Sequence, residues 1–249
     1  MNFEAVGNQI AIIINKKGKI LKTLSITDKP QKVTNSYPDI ELNNEYHIQQ
    51  ILNKEREWDV LYVAGQSGSG KSYYTLKYAE QYHCIFLKND IYLFSTLSSD
   101  STLDKANFIK KVQLNDNFIS EDFSIEDFAN SLLIFDDVDT IRDKKVKQKV
   151  YQILNMVLET GRHSKTSVVY TSHLACKGNE SKTILNECHS ITIFCKTMGS
   201  RSLKYLLDSY FGLGTDEVKK IKNIPSWWVT ILQSYPTVIL SDKSEYVLN

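Results

Sequence analysis

The sequence predicts an α/β fold in which a mostly parallel sheet is covered by helices on both faces. Three observations support this fold class. Short apolar strands alternate with helical segments between residues 59 and 195, each strand is apolar almost throughout, and a glycine-rich loop joins the first strand to the first helix. Strands that are apolar on both faces are typical of parallel sheets buried between helices. We also expect an N-terminal β-hairpin and a small C-terminal extension of helices and a β-hairpin.

The core elements follow from apolar runs and from helical spacing. Strands are predicted at 59–64, within 84–95, at 131–136, at 167–170 and at 190–195. The run 84–95 has a polar break, and the pattern does not assign its strand to either half. One helix is predicted from Lys71 to about residue 81, and another over 143–161, where apolar residues recur at helical spacing. Gly161 is expected to end the second helix.

The flanking elements are predicted from turn signals and local patterns. Two strands, 10–14 and 20–26, are joined through a turn that contains Gly18, and a loop over 27–44 leads to a short helix around 45–56. After the core we expect helices near 201–211 and 215–222, then a hairpin formed by 227–233 and 237–240. The chain is therefore divided into an N-terminal region (1–56), a core (57–200) and a C-terminal region (201–249).

Composition narrows the class of protein without defining a function. The chain has 249 residues, of which 42% are hydrophobic, and a net charge of +1, so its overall charge does not indicate a nucleic-acid partner. Its 4 cysteines in a chain of this length suggest reduced thiols. No apolar run is long enough to span a bilayer, and we therefore expect a soluble, intracellular protein without a transmembrane segment.

The glycine-rich loop predicts a phosphate-binding site. Residues 65–72 read Gly-Gln-Ser-Gly-Ser-Gly-Lys-Ser and fit the pattern GxxxxGK[ST] of a P-loop, or Walker A motif. Glycines let the backbone wrap an anion, and the amide groups of the loop and of the following helix hold the phosphates. Lys71 is expected to reach the β- and γ-phosphates and Ser72 to bind Mg²⁺. The predicted nucleotide-binding residues are Gly65, Gln66, Ser67, Gly68, Ser69, Gly70, Lys71, Ser72 and Tyr73.

Two acidic residues at the end of the predicted strand 131–136 complete the site. Asp136 is placed to hold the Mg²⁺ as the Walker B carboxylate, directly or through water, and Asp137 to polarise the attacking water. Asp139 is the alternative base. An acidic strand exit that is merely solvated is the competing interpretation.

Other P-loop classes are less compatible with the sequence. A guanine-reading NKxD motif is absent, which disfavours a GTPase, and the chain has only four arginines, which disfavours a nucleotide kinase. The run at 84–95 suggests an extra strand between the P-loop strand and the acidic strand, which favours the RecA-like ATPases. These commonly form rings with nucleotide between subunits.

Residues 59–200 resemble the FtsK–HerA superfamily, and most closely the genome-packaging ATPases of nucleocytoplasmic large DNA viruses and virophages. The matching segments are GQSGSGKS, IYLFSTLS (91–98), LLIFDDVD (132–139), LETGRHSKTSVVYTSH (158–173) and SWWVTI (226–231). This resemblance implies a RecA-type core that binds ATP and Mg²⁺ and forms a homo-oligomeric ring, a pentamer or hexamer. It also implies pumping of double-stranded DNA into a preformed capsid, with capsid, portal-vertex or membrane components as partners. The implied location is the virus factory in the host cytoplasm, or the virion.

The resemblance also implies roles for further residues. A polar sensor is expected at the end of the fourth strand, where Thr171, Ser172 and His173 lie. Arg162 is the candidate arginine finger that reaches a neighbour's nucleotide, with Arg201 as the second candidate. A cation that only interacts with its helix dipole is the alternative interpretation of Arg162.

DNA contacts and the cellular role stay open at this stage. Lysines cluster at 144–149 and at 219–222, where they either contact DNA or form solvated helix faces. The alternatives to genome packaging are a HerA- or AAA+-type ATPase in DNA replication or repair, such as a helicase loader, and a module that binds nucleotide without hydrolysing it.

Overall fold

The computed structural model describes residues 7–26, 39–52, 56, 58–97, 99–176, 179–234 and 236–248. The chain divides into two compact units. Glu57–Cys188 forms one, which we call the parallel unit, and Met1–Arg56 with His189–Asn249 forms the other, which we call the antiparallel unit. The sequence-based domain boundaries at 57–200 and 201–249 stay predictions. Within the described residues, no helix is both long and apolar enough to cross a membrane.

The elements are numbered in chain order. The strands are β1 (Asn8–Asn15), β2 (Ile20–Ile26), β3 (Ile40–Glu41), β4 (Tyr46–Gln50), β5 (Val60–Ala64), β6 (Asp90–Ser95), β7 (Ile109–Val112), β8 (Ser131–Asp136), β9 (Ser167–Ser172), β10 (Ser190–Ile193), β11 (Val229–Leu232), β12 (Thr237–Ser241) and β13 (Ser244–Leu248). The α-helices are α1 (Lys71–Ile85), α2 (Asp116–Ser120), α3 (Lys144–Ser164), α4 (Asn179–Glu187), α5 (Ser200–Lys204) and α6 (Thr215–Asn223). Single 3₁₀ turns occur at Leu103–Lys105, Ile125–Phe128 and Val138–Thr140, and a π-helical segment at Tyr205–Tyr210.

The parallel unit has the strand order β5-β9-β8-β6-β7, and every neighbouring pair in it is parallel. All residues of β5, β8 and β9 are buried, which requires cover on both faces of these strands. Strand β9 lies between the P-loop strand β5 and the acidic strand β8. The predicted α/β, RecA-like architecture is therefore confirmed, and parallel pairing brings the carboxyl ends of β5, β9, β8 and β6 to one edge.

Helix α1 is longer than the sequence predicted, and this settles where the strand of 84–95 lies. The helix continues to Ile85 because Tyr74, Tyr78 and Tyr82 recur every fourth residue and are all buried. The strand therefore occupies only the second half of the run, as β6.

Helix α3 also passes its predicted end, because Gly161 does not stop it. The helix ends at Ser164 and is capped by Lys165, whose φ of +56° is in the left-handed region. Gly161 is buried inside the helix, where an added Cβ would lie 2.9 Å from the carbonyl oxygen of Thr166 and 3.1 Å from Val157 Cγ1. The glycine thus permits close packing.

The antiparallel unit contains two sheets. One has the order β2-β1-β4 and the other contains β10-β11-β12-β13-β3, and all of these pairs are antiparallel. The predicted N-terminal hairpin is β1–β2 and the C-terminal one is β11–β12, each present as expected. The second also pairs with β10, so it extends a sheet and does not stand alone.

The helix predicted around 45–56 is wrong, because Tyr46–Gln50 forms β4 against β1. Within β4, Ile48 and Gln50 are buried while His47 and Gln49 are only partly buried, so the segment follows the two-residue period of a strand. Strand β1 supplies the pairing edge from more than 30 residues away, which local propensity does not contain. Residues 53–55, like 27–38 of the predicted loop and Tyr235 of the second hairpin, lie outside the described residues.

Candidate nucleotide-binding site

The P-loop joins β5 to α1 through two glycines in the left-handed region. Gly68 has φ of +74° and Gly70 has φ of +104°. An added Cβ on Gly68 would meet nothing within 4 Å, so the torsion angle, not space, requires glycine there. Gly70 is the N-cap of α1 and supplies no side-chain cap. The first amides of the helix are therefore open to an anion. The loop is tied to β9, since Gly65 N–H donates to the carbonyl of Ser172 at 3.0 Å.

Lys71 carries a buried positive charge at the start of α1. Its side chain is 6% exposed. The ammonium Nζ donates to the Gly65 carbonyl at 3.1 Å and lies 3.4 Å from His173 Nδ1 and 3.6 Å from Asp137 Oδ2. A buried ammonium is retained only with such partners. The group is thus held in place beside the loop that is expected to hold phosphates.

His173 links Lys71 to the second acidic residue. Its Nε2 lies 3.1 Å from Asp137 Oδ2 while its Nδ1 faces Lys71. Both contacts suit the neutral ring protonated on Nε2, which donates to the carboxylate and accepts from the ammonium. Lys71, Asp137 and His173 therefore form one connected polar cluster, and the structure brings these three predicted residues together.

Asp136 and Asp137 are fixed by one hydroxyl from the neighbouring strand. Thr171 Oγ1 donates to Asp136 Oδ1 at 2.9 Å and accepts from the Asp137 N–H at 2.9 Å. Asp137 has φ of +46°, a conformation that Asp tolerates better than most residues, and the chain turns sharply there. Burial, with the neighbouring charge of Asp137, raises the pKa of Asp136 to about 6.

Asp100 is a third acid near this site, and sequence reasoning missed it. Ser72 Oγ lies 3.4 Å from Asp100 Oδ2, and the negative charge of Asp100 also raises the pKa of Asp136. Asp100 Oδ1 accepts from the N–H groups of Thr102 and Leu103, each at 2.7 Å. Such an Asp is indistinguishable in sequence from an ordinary turn cap. The usable signal is its position in the loop that follows β6 at the same sheet edge.

The remaining predicted site residues lie around this cluster without joining it. Ser172 is buried, and its Oγ donates to Asp139 Oδ2 at 3.2 Å. Ser172 therefore contacts the alternative base and not Asp137. Gln66 and Ser67 are exposed at the tip of the loop. Tyr73 is exposed on α1, with Lys77 Nζ 5.7 Å from the centre of its ring. Ser69 is buried within the loop.

The two candidate arginine fingers belong to different units of the chain. Arg162 is exposed in the last turn of α3. Because α3 begins at the carboxyl edge of the sheet and rises about 1.5 Å per residue, Arg162 lies about 27 Å along the helix from its first residue, Lys144. Arg162 is thus near the opposite end of α3 from the acidic residues of its own chain. Arg201 belongs to α5 of the antiparallel unit.

The donor set of this edge fits Mg²⁺. The Ser72 hydroxyl and the Asp136 carboxylate supply hard oxygen ligands, and the crowding of Asp100, Asp136 and Asp137 is what raises the pKa of Asp136 beyond the effect of burial. A divalent cation would relieve that repulsion. Within the described residues no three His, Cys, Asp or Glu side chains cluster as an all-protein metal cage. Mg²⁺ commonly uses one or two carboxylates with water and phosphate oxygens instead.

A glycine-rich loop joins a strand to a helix that begins with a buried lysine, and two acids end a strand two positions away in the sheet. This arrangement defines a P-loop NTPase of the RecA-like class. No protein-family model matches the chain. Protein V3 of the Sputnik virophage is 39% identical over 193 residues, which are 76% of this chain and 77% of V3. The genome-packaging NTPase B204 of Sulfolobus turreted icosahedral virus 2, solved with AMPPCP, aligns with a TM-score of 0.52 at 15% identity, over 75% of this chain and 98% of B204.

A third similar protein is the type VII secretion ATPase EccC of Thermomonospora curvata. Its cytoplasmic domain aligns with a TM-score of 0.52 at 10% identity, over 96% of this chain and 29% of that domain. At these identities the two solved structures establish the fold alone. The sequence similarity to the virophage protein establishes kinship. The chain belongs to the same family as protein V3 of the Sputnik virophage, and it has the fold of the B204 NTPase and the EccC ATPase.

Proposed function

We propose that this protein is an ATP-driven translocase of double-stranded DNA that packages a viral genome into a preformed capsid. The observation that carries the proposal is the cluster of Lys71, Asp137 and His173 beside the P-loop, in a chain akin to a virophage protein. ATP is the proposed substrate. B204, whose name states genome packaging, shares the fold.

The proposed chemistry assigns a task to each group at the sheet edge. The loop amides and Lys71 bind the β- and γ-phosphates, and Ser72 with Asp136 holds Mg²⁺. When bound, Mg²⁺ neutralises negative charge on the phosphate oxygens. Asp137 orients the attacking water and accepts its proton. Thr171, which donates to the Asp136 carboxylate and accepts from the Asp137 N–H, fixes the direction of the Asp136 carboxylate and the position of the Asp137 backbone.

His173 is proposed to position Asp137. Asp137 Oδ2 faces both Lys71 and His173. Phosphates that draw the Lys71 ammonium to themselves would leave His173 as the partner that keeps Asp137 aimed. In this proposal the sensor predicted from the sequence is His173, whereas Ser172 supports Asp139.

ATP hydrolysis stimulated by duplex DNA is the first test. Lys71→Ala is expected to lose turnover by about 100-fold or more because a phosphate-binding charge is removed. Asp137→Asn should lose turnover to a similar extent yet keep ATP binding, measured with a fluorescent analogue. Lys77→Ala, which removes a lysine ion-paired with Glu80 on the same helix, is the matched control and should retain activity.

The result also separates this function from others of the same fold. EccC shares the fold and carries a name that refers to secretion, so the fold by itself does not indicate DNA. Robust hydrolysis by Asp137→Asn would contradict the assignment of the base. ATP turnover indifferent to DNA would contradict a translocase, and DNA stimulation without capsid-dependent DNA uptake would favour a replication or repair ATPase.

Arg162 is proposed as an arginine finger that acts across a ring interface. A finger of this kind contributes about 10³-fold or more to turnover, so Arg162→Ala alone should be nearly inactive. Mixing Arg162→Ala with Lys71→Ala should partly restore turnover, because some interfaces then pair an intact Lys71 with an intact Arg162. The mixture is compared with each variant at the same total concentration. If mixed rings form and no activity returns, Arg162 is only a helix-end cation. Native mass spectrometry of the wild type distinguishes pentamer from hexamer.

A further inference from the structure

A cavity of about 680 Å³ lies at the carboxyl ends of β6 and β7 in the parallel unit. The segment that connects β8 to α3 forms another part of its wall. Two of the lining residues, Lys111 and Arg142, are cationic, and Thr96, Gln113 and Thr140 add hydrogen-bonding side chains. We call this the β6–β7 cleft. None of the nucleotide-site residues predicted from the sequence lines it.

The charge of the β6–β7 cleft is positive. Among the described residues that line it, Asp143 is the one with a carboxylate. Its Oδ1 already accepts from the N–H groups of Lys145 and Val146 at 2.8 and 3.0 Å, as the cap of α3. Lys111 is partly exposed, and its Nζ forms an ion pair with Asp104 Oδ1 at 3.9 Å. Arg142 is exposed and makes no ion pair within the part of the chain that the structure describes.

These features indicate an anionic ligand with well-separated charges. Two cations on different elements, surrounded by hydroxyl and amide donors, suit phosphate oxygens. The exposed guanidinium has the planar geometry that binds a phosphate through two hydrogen bonds.

The β6–β7 cleft is connected to the hydrolytic acids by a short, hydrogen-bonded segment. Thr140 donates from both its Oγ1 and its N–H to the Asp137 carbonyl, at 2.7 and 3.0 Å. Arg142 follows two residues later. In the same region Ser95, which lines the cleft, pairs in register with Asp136. A shift at Asp137 would therefore be passed to the wall of the cleft through Thr140 with few intervening torsions.

We propose that the β6–β7 cleft binds backbone phosphates of the nucleic acid that the motor moves, through Lys111 and Arg142. This inference rests on the proposed translocase function. It adds a DNA-binding site that is connected through Thr140 to the hydrolytic residue Asp137. The lysine clusters at 144–149 and 219–222 are then not required as the primary DNA contacts.

Direct DNA binding without ATP tests the assignment. The Lys111→Gln/Arg142→Gln double variant is titrated against a short fluorescent duplex of mixed sequence, at several salt concentrations, by fluorescence anisotropy. Its affinity should fall by about 10-fold or more. The slope of log affinity against log salt should become shallower by about 2, because each of the two removed cations would otherwise neutralise one phosphate. The charge-conserving Lys111→Arg/Arg142→Lys variant should keep the salt slope of the wild type, because both positive charges remain.

A matched control removes the same charge elsewhere in the parallel unit. Lys110 is the neighbour of Lys111 on β7, points to the opposite face and pairs with Asp90 at 2.7 Å. Lys165 caps the far end of α3. The Lys110→Gln/Lys165→Gln variant should bind DNA within about 2-fold of the wild type, since non-specific loss of surface charge is a small effect at moderate salt.

Three results would contradict the proposal. They differ in whether they also contradict the translocase function. A wild type that does not bind duplex at all would remove the translocase function together with the cleft. Wild-type binding with equal loss in both double variants, or with no loss in either, would remove the cleft alone. Unchanged DNA affinity with lost ATP turnover that returns on mixing with Lys71→Ala would assign Arg142 to a neighbour's nucleotide instead.

Discussion

The parallel and antiparallel units each bury an acidic side chain, but in different surroundings. Asp136 in β8 accepts a hydrogen bond from Thr171 and lies near the charges of Lys71 and Asp137. Glu245 in β13 is fully buried, and neither of its carboxylate oxygens has a hydrogen-bond partner within the described residues. Burial raises the pKa of Asp136 to about 6 and that of Glu245 to about 8. One site is arranged to hold a negative charge, and the other avoids the charge by staying protonated near neutral pH.

This difference separates a functional acid from a structural one. A buried carboxylate that keeps polar partners lowers the stability of the fold unless a bound cation neutralises its charge. Buried acids of this kind are usual at catalytic sites. A buried carboxyl without partners is tolerated only in its neutral form. The raised pKa alone would not distinguish the two, since both shifts have burial as their largest cause.

The largest expected effect comes from exchanging each acid for its amide. Asp136→Asn should lower ATP turnover by about 100-fold or more, because the proposed Mg²⁺ ligand loses its charge. Glu245→Gln should leave turnover close to that of the wild type. Steady-state hydrolysis over a range of Mg²⁺ concentrations measures both, and Asp136→Asn should also need more Mg²⁺. Equal losses in the two variants would mean that Asp136 acts through stability and not through metal binding.

The next effect concerns stability and its dependence on pH. Glu245 has a folded pKa of about 8, above the ordinary value of 4.5, so the folded state binds the proton more tightly than the unfolded state does. Stability from this group is complete below about pH 4.5 and is lost as pH rises toward 8. Glu245→Gln should therefore unfold like the wild type near pH 4.5 and be more stable by about 2–4 kcal/mol at pH 8.

Thermal unfolding of both proteins at matched ionic strength measures this difference. The conservative Glu245→Asp variant retains the acid and should not show the gain. A stability difference that is the same at pH 5 and pH 8 would show that Glu245 is charged, or paired, in the folded state.

The elements that the sequence predicted well are those defined by contiguous residues. The P-loop, Lys71 and the acidic strand end require only fixed spacing along the chain, and β5, β8 and β9 are mostly apolar runs, so each was recognisable by itself. The amphipathic helix over 143–161 was likewise visible from its period.

The features that could not be predicted depend on distant partners. Strand β4 exists because β1 pairs with it, and the Asp136 carboxylate is oriented by a hydrogen bond from Thr171, 35 residues away in sequence. Asp100 looks like a turn cap until β6 brings it beside Ser72. In each case the deciding contact joins segments whose proximity is a result of folding and leaves no local pattern.

The smallest expected effect compares one glycine from each unit. A methyl group on Gly161 of α3 would lie 2.9 Å from a backbone carbonyl, which cannot rotate away, whereas one on Gly199 of the antiparallel unit would meet nothing within 4 Å. Gly161→Ala should therefore lower stability by about 1 kcal/mol, the cost of overpacking less the helix propensity gained. Gly199→Ala should be neutral or stabilise by about 0.5 kcal/mol, because its backbone already has the negative φ that alanine prefers. Urea unfolding with equal m-values gives both numbers. If Gly161→Ala were as stable as Gly199→Ala, the glycine in the Gly-Arg-His segment would not be needed for packing, and its place in the motif would have to be explained by the neighbouring Arg162.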